Sequence, residues 1–213
     1  MNSQRRPTQI EEFSILGRSI RLRVPADPDR ILADATHGQA VDPYWGKIWD
    51  SAPHAAKCVL QTVWPTKAKV LEIGSGCGLL GIAGMFAGHD VMLSDHDGEA
   101  VKLAVENAQL NGFADAQGVV LDWNAPPNMK FDLLLASDVL YEEQFHQPLL
   151  IAADKLLKSG GSFRIGDPGR QLAKAFLQFS ADEGWRAEIF DSDLKSLLMP
   201  TTNAFQWLVL KRC

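Results

Sequence analysis

Glycine and acidic residues cluster where a short apolar segment ends at Ile73. Glu72 precedes the end of this segment, and Gly74, Gly76 and Gly78 then occupy every second position. Backbone can approach a bound molecule closely where no side chain intervenes, and glycine also tolerates a positive φ. Free N–H groups in such a loop, at the start of a helix, make a polar cradle for a ligand. A carboxylate at Glu72 would repel phosphate and favours a ligand that carries positive charge.

Two classes of ligand fit this loop. S-adenosyl-L-methionine (SAM) carries a sulfonium and an α-amino group, both of which suit Glu72. A dinucleotide is the alternative, because the run from Gly76 to Gly81 satisfies the G-x-G-x-x-G pattern. In that pattern the first glycine directly follows the strand, whereas here Gly74 holds that position. The motif therefore favours SAM, with the dinucleotide left open.

Acidic residues also end the next two apolar segments. Asp95 ends the second predicted strand, where an acid in a doubly wound fold hydrogen-bonds ribose hydroxyls. The alternative for Asp95 is an N-cap, a role for which Asp97 competes. Asp122 and Trp123 follow the third strand, where the acid can accept from an adenine amino group and the indole can cover the ring. An exposed turn acid beside a core tryptophan is an equally good interpretation of that pair.

The fourth predicted strand ends at Asp138, and Tyr141 lies three residues further on. Ligands of such sheets bind beyond the carboxyl ends of the strands, so both side chains stand where an acceptor substrate would bind. Glu142 and Glu143 crowd the same turn and favour a cationic acceptor. The alternative is that Asp138 or Ser137 simply starts the next helix.

An aromatic cluster of Tyr44, Trp45 and Trp49 precedes the glycine motif. Aromatic faces attract cations, including sulfonium and alkylammonium groups, although packing over the sheet is the simpler interpretation for each residue. We expect no metal site. His54 and Cys58 lie four residues apart on a predicted helix, but no third ligand of matching spacing accompanies them.

Alternating strand and helix patterns predict an α/β fold. Strands are predicted at residues 69–73, 89–94, 117–121, 131–136, 160–165, 185–190 and 204–211. Helices are predicted at residues 51–63, 79–87, 98–110, 142–157 and 170–181. Such alternation implies a doubly wound, mostly parallel seven-stranded sheet, with the last two strands as an antiparallel edge. A hairpin at residues 12–24 and a short helix at 27–35 come first. We expect a single domain with an N-terminal extension over residues 1–50 and a core over 51–213.

Composition narrows the functional class. The 213 residues suit one domain, and a hydrophobic fraction of 46% is ample for a sheet buried on both faces. A net charge of −5 argues against a general nucleic-acid surface, and three cysteines at unrelated spacings fit a reducing cytosol. No apolar run reaches membrane-spanning length, and residues 1–9 lack a signal-peptide core. We expect a cytoplasmic protein, monomeric, without nucleic-acid or membrane partners.

Taken together, these motifs resemble those of class I SAM-dependent methyltransferases, the seven-β-strand fold. The resemblance is carried by Glu72–Gly78, Asp95 and Asp122-Trp123. Within that class, further features resemble the family-16-type protein lysine methyltransferases. They are Ile48–Ala52 before the first core helix, Leu121–Trp123, Ser137–Tyr141 after the fourth strand, and Glu106-Asn107 with Leu110–Gly112. The resemblance covers about residues 41–165 well and the C-terminal third only loosely.

The resemblance implies a Rossmann-like methyltransferase fold, with SAM as cofactor and S-adenosyl-L-homocysteine (SAH) as product. The cofactor-binding residues that it implies are Trp49, Glu72, Gly74, Ser75, Gly76, Gly78, Asp95, Asp122, Trp123 and Ser137. Asp138 and Tyr141 would line the acceptor channel as catalytic residues. The activity implied is methylation of a lysine side chain in a protein partner. The alternatives are methylation of a small-molecule amine or other small substrate, a non-catalytic SAM-binding interaction protein, and a Rossmann-type oxidoreductase.

Overall fold

A β-hairpin opens the part of the chain that the computed structural model describes, which is residues 7–31 and 43–213. Strands β1 (Thr8–Ile15) and β2 (Arg18–Pro25) pair antiparallel in a two-stranded sheet. Ile20, Leu22 and Val24 are buried, because alternate side chains of β2 point to the same face. The hairpin expected at residues 12–24 is confirmed and is longer than predicted. Residues 28–31 are helical, and the rest of the helix expected at 27–35 lies outside the described residues.

The main sheet has eight strands in the order β5-β4-β3-β6-β7-β10-β8-β9. They are β3 (Lys69–Ile73), β4 (Asp90–Asp95), β5 (Gln117–Val120), β6 (Phe131–Ser137), β7 (Leu157–Asp167), β8 (Trp185–Phe190), β9 (Ser196–Leu197) and β10 (Gln206–Arg212). Strands β3 to β7 pair in parallel, and β10 pairs antiparallel with both β7 and β8. The doubly wound, mostly parallel fold is confirmed. The expected count of seven strands is corrected to eight, since the two residues of β9 are too few to show a period of their own.

Helices cover both faces of this sheet. They are α1 (Ser51–Gln61), α2 (Leu79–Phe86), α3 (Gly98–Leu110), α4 (His146–Leu156) and α5 (Gln171–Asp182). Val70 belongs to the buried cluster with α1, α2 and α3, and its neighbour Leu71 belongs to the cluster with α4 and α5. A strand that is apolar at successive positions is therefore buried on both faces, as parallel strands are. Within the described residues, no helix is long and apolar enough to cross a membrane.

The helix expected at residues 142–157 begins later, at His146, after a 3₁₀ turn at Glu143–Phe145. Asp138 has a φ of 60°, in the left-handed region, and its N–H donates to the Gly166 carbonyl at 2.9 Å. Neither Ser137 nor Asp138 therefore starts a helix, and the N-cap alternative for them is wrong. Their side chains remain at the carboxyl end of β6.

The strand order places these side chains at a crevice. The chain runs outward from β3 to β4 and β5 on one side, and then returns to β6 and β7 on the other. The connections that leave β3 and β6 consequently diverge at the carboxyl edge of the sheet. Ligands of open α/β sheets bind at such a switch point.

Candidate active site

A cavity of about 550 Å³ opens at this switch point. Its volume lies within the range of small-molecule sites. Predicted site residues that line it are Trp49, Glu72, Gly74, Ser75, Gly76, Asp95, Asp122, Trp123, Ser137, Asp138 and Tyr141. Gly78 does not line it; a Cβ at Gly78 would lie 3.1 Å from Cβ of Ala104 on α3. The fold thus brings together residues that are spread over nearly a hundred positions of the sequence.

Three positions in the loop after β3 require glycine because of their backbone conformation. Gly74, Gly76 and Gly78 have φ values of 66°, 49° and 87°, a region that other residues rarely adopt. At Gly76 a Cβ would also lie 3.0 Å from the Trp45 carbonyl oxygen. The expected cradle of free N–H groups is corrected in part. The N–H groups of Ser75, Gly76 and Gly78 donate to Ser94 O, Asp95 Oδ2 and Ser75 O, so the loop offers close backbone approach more than free donors.

Glu72 is a buried carboxylate at the base of the cavity, with 3% of its surface exposed. Burial raises the pKa of Glu72 well above its usual range, and the Gly81 N–H, which donates to the carboxylate, opposes this increase. Within residues 7–31 and 43–213, no group hydrogen-bonds its Oε2 atom. A buried acceptor without a partner is costly unless a ligand supplies one. An ammonium group is a suitable partner, because it both donates and carries positive charge.

Asp95 fixes the glycine loop from the end of β4. Its Oδ2 accepts from the Gly76 N–H at 2.9 Å, and its Oδ1 accepts from the Asp97 N–H at 3.1 Å. Asp97 is the N-cap of α3, since its carboxylate accepts from the Glu99 N–H at 2.6 Å. The N-cap alternative for Asp95 is thus excluded, and its side chain lines the cavity.

The sequence left two interpretations open for Asp122 and Trp123, adenine contacts or an exposed turn acid beside a core tryptophan, and the structure shows features of both. Asp122 is exposed, and its Oδ1 accepts from the backbone N–H and the side-chain amide of Asn124 at 2.8 and 3.0 Å. Those hydrogen bonds lower the pKa of Asp122. Trp123 is half-buried and packs with the apolar cluster of α4 and α5. Both side chains nevertheless line the cavity, where an adenine ring could contact them.

Five aromatic rings form a continuous rim around the cavity. Trp49 contacts Tyr44, Tyr44 contacts Tyr141, Tyr141 contacts Phe145, and Phe145 contacts Trp123. Successive ring centroids are 5.9, 5.6, 5.6 and 5.8 Å apart, all edge to face. This aromatic rim joins the cofactor candidates Trp49 and Trp123 to the acceptor candidate Tyr141. It presents a low-dielectric wall with negative ring faces, which favours organic cations.

Asp138 lies beneath this rim in an ion pair that the sequence did not reveal. Its Oδ1 accepts from Arg170 Nη2 at 2.8 Å, and Arg170 Nη1 donates to Asp167 Oδ2 at 3.1 Å. Burial raises the pKa of Asp138, and the Arg170 guanidinium and the Ser51 hydroxyl oppose this increase. The signal that could have found Arg170 is the run Asp167–Arg170 at the end of β7, because β7 is parallel to β6 and ends at the same edge.

A model of the lysine methyltransferase family matches residues 35–176 of this chain. The chain belongs to this family. It is 29% identical over 132 residues to the electron transfer flavoprotein beta subunit lysine methyltransferase of Mus musculus, covering 61% of this chain and 52% of the relative. The chain therefore spans about half the length of the curated relatives it matches.

Solved structures share the fold. The ribosomal protein L11 methylase of Lactobacillus delbrueckii subsp. bulgaricus aligns with a TM-score of 0.61 at 25% identity, over 78% of this chain and 80% of that one. A TehB-like SAM-dependent methyltransferase of Corynebacterium glutamicum aligns with a TM-score of 0.63 at 23% identity, over 87% of this chain and all of that one. The Rossmann-like methyltransferase fold expected from the sequence is confirmed.

SAM is the cofactor of this lysine methyltransferase family. The described residues fit it on grounds that do not depend on the comparisons. Glu72 offers an unpartnered buried acceptor to an α-amino group, the glycine loop admits close approach, and the aromatic rim suits a sulfonium. The described residues contain no cluster of three His, Cys, Asp or Glu side chains that could hold a metal ion.

Proposed function

We propose that this chain transfers a methyl group from SAM to the ε-amino nitrogen of a lysine in a protein partner. The observation that carries the proposal is a shared cavity: Glu72, the candidate for the cofactor amino group, and Asp138 and Tyr141, the candidates for the acceptor, all line it. An amine held at Asp138 and Tyr141 would therefore share the cavity with the cofactor. Trp49 and Tyr44 also line this cavity.

The chemistry requires a neutral amine. When bound, SAM supplies a methyl group that its positive sulfur has already activated. The neutral lysine nitrogen forms the new N–C bond as the C–S bond breaks, which leaves SAH and a methylated ammonium; the proton lost before attack goes to water. Lysine is protonated at neutral pH, with an ordinary pKa of about 10.4, so it must first lose a proton.

The site residues divide this task. The carboxylate of Asp138 orients the amine by accepting one of its hydrogens, and the Arg170 guanidinium at 2.8 Å offsets much of its charge. A carboxylate that is already paired stabilises an ammonium less than a free one would, which favours the neutral amine. Partial desolvation beside Trp49 and Tyr141, together with the positive sulfur of bound SAM, disfavours the ammonium further. With a preactivated methyl group, alignment of the two reactants is the main remaining contribution.

A protein acceptor is supported by the relatives. The Mus musculus relative is a lysine methyltransferase of the electron transfer flavoprotein beta subunit, and the Lactobacillus neighbour is a methylase of ribosomal protein L11. Both names specify a protein as the methyl acceptor. The acidic side chains Glu142 and Glu143 beside Tyr141 add a local negative charge that suits a lysine-bearing segment.

The test is a labelled-methyl assay with SAM and a whole-cell protein extract, followed by hydrolysis and identification of the labelled amino acid. We expect label in methyllysine. An extract whose lysines have been acetylated is the matched control and should accept none. Label that stays in the small-molecule fraction would favour the small-amine alternative. Tight SAM binding without any transfer would favour the interaction-protein alternative.

We further propose a monomeric protein of the cytoplasm that acts without nucleic acid. Cys213 is an exposed free thiol, while Cys58 and Cys77 are buried free thiols. Burial raises the pKa of both buried thiols to about 12, which makes them inert. Three unpaired cysteines suit a reducing compartment. Fractionation of cells and light scattering of the purified protein check location and oligomeric state.

A further inference from the structure

Two asparagines, one in the last turn of α3 and one at its C-cap, attach the hairpin to the core. Asn107 accepts from the Arg23 N–H at 2.8 Å and donates to the Arg23 carbonyl at 2.9 Å. Asn111 accepts from the Arg21 N–H at 3.0 Å and donates to the Arg21 carbonyl at 2.7 Å. Each side-chain amide therefore pairs with one backbone unit of β2 as a neighbouring strand would.

The spacing of the two elements makes this pairing possible. Four helical residues rise about 6 Å, and two strand residues advance about 6.7 Å, so Asn107 and Asn111 match Arg23 and Arg21. Alternate residues of a strand direct their N–H and C=O groups to the same edge. The two amides thereby hydrogen-bond the N–H and C=O groups of Arg21 and Arg23, on the edge of β2 that faces away from β1. Without these partners, the groups on that edge could pair with another chain.

Only one of these two asparagines also contacts the glycine loop, Gly74–Gly78, which is called the cofactor loop below. The second N–H of the Asn107 amide donates to the Cys77 carbonyl at 2.9 Å, and Asn107 is fully buried. The second N–H of Asn111 donates to the Asn107 carbonyl at 2.8 Å, within its own helix. The two side chains hold the hairpin in the same way but differ in their contact with the loop.

The loop has little freedom to move without disturbing Asn107. Gly78 packs against Ala104 on the same helix, as a Cβ there would lie 3.1 Å from Ala104. The Cys77 thiol donates to the Trp45 carbonyl at 3.6 Å. A shift of the Cys77 carbonyl would strain the amide that also holds Arg23.

The hairpin in turn supports the aromatic rim. Gly46 packs tightly on the end of β2 and on residue 31, since a Cβ at Gly46 would lie 3.4 Å from Pro25 and 2.6 Å from Ile31. Gly46 lies between Tyr44 and Trp49, whose indole N–H donates to the Tyr44 carbonyl at 3.0 Å. A continuous series of contacts thus joins the cofactor loop, Asn107, β2 and the rim.

We infer that Asn107 is a positioning residue that couples the cofactor loop to the hairpin, so that an occupied cofactor site stabilises β2. Coupling of this kind is reciprocal, and disturbing the hairpin through Asn107 must weaken cofactor binding. The inference goes beyond the proposed function, because it requires cofactor binding but no methyl transfer and no acceptor.

The test follows amide hydrogen exchange at Arg21 and Arg23 by NMR, with and without saturating SAH. In the wild-type protein we expect SAH to slow exchange at both amides at least threefold. Asn107→Asp keeps the volume and the acceptor for Arg23 but removes both donated hydrogen bonds. We expect it to lose the slowing by SAH and to weaken SAH binding at least tenfold by calorimetry.

Asn111→Asp is the matched control, since it loosens β2 without touching the loop. We expect faster exchange at Arg21 in this variant, SAH binding within threefold of wild type, and the slowing by SAH retained. Unchanged exchange in wild type on adding SAH, retained slowing in Asn107→Asp, or an equal loss of affinity in both variants would each overturn the inference. Should Asn107→Asp fail to fold, Asn107→Ala, which removes the same donated hydrogen bonds without adding a charge, takes its place with the same expectations. A wild-type protein that binds no SAH at all would instead refute the cofactor assignment.

Discussion

Glu72 and Asp138 are both buried carboxylates that line one cavity. Burial raises the pKa of each, but the groups that oppose this increase differ. A single backbone N–H, from Gly81, opposes it at Glu72, whereas the charged Arg170 does so at Asp138. Glu72 therefore lacks a charge partner that a cationic ligand could supply, while Asp138 already has one. Such buried carboxylates contribute little to stability by themselves, which suits residues kept for binding.

Replacing Glu72 with Gln should stabilise the cofactor-free protein in a pH-dependent way. A carboxyl whose pKa is raised on folding holds its proton more tightly in the folded state, so stability falls as pH rises from about 4.3 through the raised pKa. Gln does not ionise. We expect the melting temperature of Glu72→Gln to exceed that of wild type at pH 8, with a smaller difference at pH 5. Equal melting at pH 8 would contradict the burial argument. SAM affinity should fall at least tenfold, as for a lost hydrogen bond to a charged group.

Asp138→Asn tests the acceptor side of the cavity. Asn keeps the size of the side chain and can still accept from Arg170, but the charge is gone. Most of the predicted cofactor residues lie on or just after β3, β4 and β5, so we expect SAM affinity within a few fold of wild type. Turnover on the protein acceptor should fall on the order of a hundredfold or more, as for lost positioning of a reactant. Asp115→Asn, at an exposed position outside the cavity lining, is the control, with turnover near wild type. Full turnover in Asp138→Asn would remove this residue from the site.

Variants of Asp95 and Asp97 should distinguish a role in ligand binding from a role in helix capping. Asp95→Ala removes a carboxylate that lines the cavity, and we expect SAM binding to weaken by about 1.5–3 kcal/mol. Asp97→Ala removes the N-cap of α3, which costs about 1 kcal/mol of stability and should leave SAM affinity unchanged. Calorimetry and thermal melting of both variants check this. The opposite pattern, with affinity lost only in Asp97→Ala, would refute the ribose assignment.

Among the elements, the loop between β3 and α2 depends most directly on its residue types. Gly76 combines a φ of 49° with a Cβ position 3.0 Å from the Trp45 carbonyl. Gly76→Val should therefore abolish SAM binding while circular dichroism shows a folded protein. Gly112→Val is the control, because Gly112 has a φ of 94° but nothing within 4 Å of its Cβ position. The control should lose about 1–2 kcal/mol of stability and keep its SAM affinity. Equal loss of affinity in both variants would show that backbone strain alone is responsible.

The elements that the sequence predicted best are those with the longest apolar patterns. The apolar runs of β3, β4 and β6 and the alternating hairpin are all recovered, because burial on one or both faces determines the pattern. The start of α4 was placed too early, since the acidic turn after Tyr141 is compatible with a helix and only tertiary packing decides against it. The contacts of Arg170 and Asn107 were not predicted. Their partners, Asp138 and Arg23, are 32 and 84 residues away, and no local pattern encodes such pairings.

At the scale of the whole molecule, the switch point of the sheet explains why the sequence could predict a site whose residues come from several different strands. Every strand of the parallel set ends at one edge, so a polar residue just after an apolar run is placed beside the others without knowledge of any contact. That rule brought Glu72, Asp95 and Asp138 to one cavity. It says nothing about the C-terminal strands, where β10 runs antiparallel and contributes Gln206, which donates to Asp167 at 3.2 Å.

Cofactor binding should be visible as stabilisation of the entire fold. A ligand that binds only the folded state at a hundred times its Kd stabilises by about 2.7 kcal/mol. For a chain of this size, each kcal/mol raises the melting temperature by roughly 2–4 °C, so SAM and SAH should each raise it by about 5–11 °C. NAD is the matched control, because Glu72 repels its pyrophosphate, and it should produce no shift at the same concentration. A shift with NAD and none with SAM or SAH would restore the oxidoreductase alternative, since the Gly76–Gly81 run satisfies the dinucleotide pattern as well.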